Sequence, residues 1–121
     1  MALRQRVEAE FHGYAQCYEA PPTSTTVGTP WTKEKVKIEV DRMAALLVDP
    51  YPVHYESGDE MVPSEQRLVG RRSAFVVAED DPYVLLFDHD AEDFVLAYRS
   101  DDGQLSAWGL RGDAASTFLA R

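Results

Sequence analysis

From Leu68 onward the chain is written in short apolar bursts separated by acidic or glycine-containing turns. The segments "SAFVVAE", "YVLLF", "DFVLAYR" and "QLSAWGL" are rich in β-branched and aromatic residues, a composition that favours strands. Asp102-Gly103 is a hairpin signal between the last two. Four consecutive strands with short turns predict an antiparallel meander over residues 68–110.

The N-terminal third has a different period. Leu3, Val7, Phe11, Tyr14 and Tyr18 recur at steps of three and four, the spacing of one helix face, and predict a helix over 3–18. Gly13 weakens it by about 1 kcal/mol relative to Ala. "APPTSTTVG", residues 20–28, reads as loop. A second helix is predicted over 30–48, with Val36, Val40, Met43, Ala44 and Leu47 as its stripe. Thr29 would cap it, Pro30 would occupy its first position, and Asp49-Pro50 would end it. Val36, Ile38 and Val40 also alternate as a strand would, but the Met43–Leu47 continuation favours helix. Residues 51–67 hold two prolines and Gly58, which predicts a short edge strand at most, then loop. Asp113 opens a short closing helix, "DAASTFLAR". The expected architecture is one α+β domain spanning residues 1–121. It has an antiparallel four-stranded meander, two N-terminal helices and a short C-terminal helix.

The two central strands are apolar on both faces, so both faces must be covered. Three helices cover one face comfortably. The second face is therefore expected to meet another subunit in a homodimer, or to be an apolar patch kept for a partner.

Composition narrows the function. With 45% apolar residues in 121, the chain is an ordinary single globule. No apolar run approaches the ~20 residues of a transmembrane helix, and "MALRQRVEAE" has no signal-peptide core. Cys17 is the only cysteine, which excludes an intrachain disulfide and suggests a reducing, cytoplasmic setting. The net charge of −9 argues against nucleic acid, whose phosphates require a basic face.

The distribution of that charge is more informative. Residues 79–102 hold nine acids and one base, Arg99, for −8, while twelve acids and eleven bases elsewhere give −1. Turns favour Asp, and acids beside apolar strands protect against aggregation, but nine acids exceed that need. A dense negative field steers a basic partner. Asp80, Asp81, Asp88, Asp90, Glu92, Asp93, Asp101 and Asp102 are thus the expected partner-binding residues. Neutralising the 88–93 acids is expected to slow binding and leave the fold intact.

Candidate chemistry is thin, and no cofactor is expected. "DHDAED" from Asp88 lacks the glycine at position six and the glutamate at position twelve of a calcium loop. His12, Cys17, His54 and His89 are scattered singly, without the paired spacing of a zinc site. Nothing beside Cys17 stabilises a thiolate, so it reads as a small buried residue. "VGTPWTK" lacks the second glycine of a phosphate loop. "RGD" at 111–113 reads as a strand end followed by an Asp N-cap. Trp31 and Trp108 read as core residues. His54 and Glu56 share one face of an extended segment and form the only compact acid–base pair. They support the alternative of a small enzyme or ligand-binding domain with a pocket between helices and sheet.

The leading expectation is a non-catalytic binding protein whose carboxylates stand where phosphates would lie in a basic partner's groove. The chain's size, acidity, helix-then-meander order and closing "STFLAR" helix resemble bacterial polymorphic-toxin immunity proteins of the SUKH type. That resemblance implies an inhibitor of a basic toxin or nuclease.

Overall fold

The computed structural model describes residues 2–19, 31–58 and 70–121. Its elements run α1 (Leu3–Cys17), α2 (Lys33–Ala45), β1 (Leu47–Ser57), β2 (Gly70–Asp80), β3 (Tyr83–Asp88), β4 (Asp93–Arg99), β5 (Leu105–Gly112) and α3 (Ala114–Leu119). The α+β class and the meander are as the pattern predicts. The strand count is not: the sheet has five strands, and it closes into a barrel in the order β1-β2-β3-β4-β5. Five up-and-down strands leave the first and last pointing the same way, so the closing pair is parallel. It is held at Glu56–Ser106 and Ser57–Ala107.

Closure resolves the two-faced strands differently from the expectation of a second subunit. Along β3, Val84 and Leu86 turn inward and pack with Tyr55, Ala74, Val76, Val95, Ala97, Leu105 and Ala107 inside the barrel. Leu85 turns outward and packs under the helices with Val7, Phe11, Val36, Val40, Met43, Val77, Phe94 and Phe118. The sheet's second face is thus covered by the sheet itself. A five-stranded barrel is too narrow for a lumen, and side chains fill it.

The helices follow their stripes. Val7, Phe11 and Ala15 of α1 and Val36, Val40 and Met43 of α2 are buried. The second helix starts later than predicted. Thr32 is its N-cap, accepting from the Lys35 N–H at 3.1 Å; the predicted cap at Thr29 and first turn at Pro30 lie outside the described residues. Asp113 caps α3 as expected, accepting from the Ser116 N–H at 3.0 Å. Cys17 is exposed rather than buried. None of the described helices is long and apolar enough to cross a membrane.

Two turns have left-handed residues. Gly103 has φ 86°, where glycine is at ease, and the turn is closed by Gly103 N–H on the Ser100 carbonyl at 2.8 Å. Glu92 has φ 56°, which strains a residue with a Cβ. Glu92→Gly is therefore expected to stabilise the fold by up to about 1 kcal/mol. A urea midpoint that falls in this variant would show the turn to be unstrained.

Candidate functional site

The eight expected partner-binding acids do not form one surface. Asp88 ends β3 with the inward parity of Val84 and Leu86, and its side chain is 0% exposed. Tyr55 Oη donates to Asp88 Oδ2 at 2.6 Å and Arg72 Nε at 2.7 Å. Arg111 Nη2 donates to the same oxygen at 3.0 Å. The N–H groups of Asp90 and Ala91 both donate to Oδ1 at 3.1 Å. Arg111 also grips Asp93 with two bonds of 2.9 Å. This network plugs one end of the barrel. Burial alone would raise the Asp88 pKa, but the donors from Arg72, Tyr55, Ala91 and Arg111 outweigh it and hold the carboxyl well below its ordinary range. Burial raises the Tyr55 hydroxyl pKa, and the neighbouring carboxylate adds to the rise.

Asp88 is consequently withdrawn from the partner-binding set. Asp93 is largely occupied by Arg111, so neutralising the 88–93 acids would disturb the fold rather than spare it. Asp80 is engaged by Arg121 Nε at 2.7 Å. Three of the segment's carboxylates are thus met by guanidinium groups from outside it, Arg72, Arg111 and Arg121. Within it, Arg99 serves Glu79 at 3.1 Å and reaches Asp81 at 3.7 Å. The exposed acids that remain are Asp81, Asp101 and Asp102 at one end of the barrel and Asp90 and Glu92 at the other.

His54 and Glu56 do line a pocket, a half-open groove of about 570 Å³. Its other walls are the start of β2 at Arg71 and the β4–β5 turn from Asp102 to Leu105. It lies against β1 and that turn, with no described helix residue lining it, rather than between helices and sheet. No hydrogen bond joins His54 to Glu56, so they do not form an acid–base dyad. No group of three or more His, Cys, Asp or Glu suited to a metal occurs among the described residues.

The part of the surface missed by sequence reasoning is aromatic. Trp108 is 74% exposed, Tyr98 48% and Leu110 45%, and Tyr83 is also exposed. Trp108, expected in the core, projects because β5 alternates: Leu105 and Ala107 point inward, leaving Ser106 and Trp108 outward. Trp31 is exposed too, with Lys35 Nζ 4.5 Å from its ring centre. Tyr83 and Tyr98 are cross-strand partners in an edge-to-face pair with centroids 6.1 Å apart. The register continues from Tyr98 to Ser106 and from Ser106 to Glu56. One outer wall of the barrel therefore carries Tyr83, Tyr98, Trp108 and Leu110. Asp81, Asp101 and Asp102 stand in the turns at its end, and Glu56 at its side. The helices pack farther along the same outer face of β3 and β4, over Leu85 and Phe94, and over Val77 of β2. The alternation of Ser106, Trp108 and Leu110 was the available signal, since only one face of β5 could enter the barrel.

Comparison with known proteins yields no matching family model, no matching curated protein and no matching solved structure.

Proposed function

We propose that this chain is a non-catalytic protein-binding domain that engages a basic protein through its aromatic barrel wall. The observation that carries the reading is Trp108, held 74% exposed on β5 two residues from Leu110. Monomeric proteins seldom leave such residues bare without use, and Trp and Tyr are the residues most enriched at binding hot spots. An aromatic centre beside a charged rim is the usual anatomy of an interface. The rim here is acidic, which selects a basic partner and speeds its approach. Inhibition of a basic toxin or nuclease, the role of the immunity proteins that the chain resembles in layout, fits this surface. The groove at His54 and Glu56 lends less support to an enzyme, since the two side chains are not bonded to each other.

The first partner to test is a basic protein encoded beside this gene, titrated with the purified chain. Trp108→Ser is expected to weaken the complex about 30-fold, corresponding to about 2 kcal/mol. Asp101→Asn with Asp102→Asn is expected to slow association and flatten its salt dependence. Unchanged affinity in Trp108→Ser, with the fold intact by circular dichroism, would remove the aromatic wall as the interface.

A further inference from the structure

The seam that closes the barrel is short, and it leaves part of β1 open. Gly58 N–H donates across the seam to the Ala107 carbonyl at 2.9 Å. In an extended strand, alternate residues turn their N–H and C=O to the same side. The β1 register is uninterrupted from Tyr51 to Ser57, so the main chain of Glu56 and His54 faces the same way as that of Gly58. Pairing with β5 reaches Glu56 and stops there, because β5 begins at Leu105 and the chain before it turns away. The N–H and C=O of His54 therefore look past the start of β5 into the 570 Å³ groove. Two carboxylates flank this edge, Glu56 on β1 and Asp102 on the turn. Asp102 is held in place by Ser100 Oγ and by the Gln104 N–H at 3.0 Å. Neither has a cationic partner within 4.0 Å among the described residues.

We infer that this groove takes an extended basic peptide segment. The segment adds as a short strand to β1 at His54 and places one Lys or Arg side chain between Glu56 and Asp102. An unpaired strand edge is a template for main-chain pairing, and the flanking carboxylates supply the charge preference. Arg71, cross-strand from Glu56, repels a second cation on that side and so fixes the register of the first. The inference rests on the proposed function, of which it names the partner segment: an extended, basic stretch of the bound protein.

The test is a titration of the ¹⁵N-labelled full chain with the capped peptide Thr-Lys-Val-Arg-Thr-Lys-Val, followed by amide chemical shifts. Saturable shifts confined to residues 53–56 and 102–105 are expected. Asp102→Asn and Glu56→Gln should each weaken binding about 5-fold. Methylating alternate peptide nitrogens, which leaves the charge unchanged, should weaken it about 10-fold. Absence of saturable shifts up to about 1 mM peptide overturns the inference. Shifts centred on Trp108 or on the 88–93 turn, or equal binding of the methylated peptide, also overturn it. Trp108→Ser separates the two readings. Peptide binding that survives in a chain unable to bind the whole partner through its aromatic wall supports the groove on its own. A Trp108-dependent partner complex with no peptide binding leaves the proposed function standing and sinks only the groove.

Discussion

Asp88→Ala is expected to lower the free energy of unfolding by about 3–5 kcal/mol, the usual cost of removing one partner from a buried ion pair. The carboxylate is fully buried and receives Tyr55, Arg72, Arg111 and two backbone N–H groups. Its removal strands the Arg72 guanidinium, leaves Arg111 with Asp93 and the Tyr55 hydroxyl, and opens the Asp90 and Ala91 N–H groups at the β3–β4 turn. Asp88→Asn keeps an oxygen for the two N–H groups but loses the charge, so it should fall between wild type and the alanine variant. Urea denaturation measures both. A loss below about 1 kcal/mol in Asp88→Ala would show that water replaces the carboxylate freely.

The same group sets an acid dependence. Its folded pKa lies below the unfolded value of about 3.9, so its stabilisation is fully present above that value. The contribution is lost only as pH falls from there toward the depressed folded pKa. Wild type should therefore lose stability as pH falls below about 4 into the strongly acid range, whereas Asp88→Asn should lack this component. Parallel acid titrations of the two proteins would contradict the assignment.

Phe118→Ala is expected to cost about 3–5 kcal/mol, the range for emptying a buried phenylalanine site. Phe118 is 0% exposed and lies parallel to Phe11, with centroids 6.1 Å apart. The six-residue α3 is too short to hold itself. Phe118 is the side chain that fixes it to α1 and the sheet, while Arg121 lies over the same ring at 4.2 Å and reaches back to Asp80. Amide exchange in α3 should accelerate more than exchange in β3. A mild loss confined to the last few residues would mean that α3 is an appendage rather than part of the core.

The helices and the last four strands were legible in the sequence because each carries a local period. Val7 and Phe11, Val36 and Val40, and the alternation of Leu105 and Ala107 with Ser106 and Trp108 are readable from neighbours alone. β1 is not legible as a full strand, because Pro50, Pro52 and Gly58 are strand-breaking residues. Pro52 is tolerated because the alternation turns its nitrogen to the side that β5 does not reach, so no ladder bond is lost. The alternation of Val53, Tyr55 and Ser57 against His54 and Glu56 was present but masked by those prolines.

The sequence by itself determined the α+β class, the meander, the hairpin at Gly103, the cap at Asp113 and the excess of acids over bases. These follow from local propensity and composition, which act between residues close in the chain. Only the tertiary structure decided which acids face solvent. Asp88 and Asp90 sit two residues apart in one acidic run, yet one plugs the barrel and the other is exposed. Their difference is set by Tyr55, Arg72 and Arg111, which lie 33, 16 and 23 residues away from Asp88 in sequence. Closure of the barrel decided the rest. Once the sheet buries one face against itself and part of the other under helices, Tyr83, Tyr98 and Trp108 have only solvent, or a partner, left to meet.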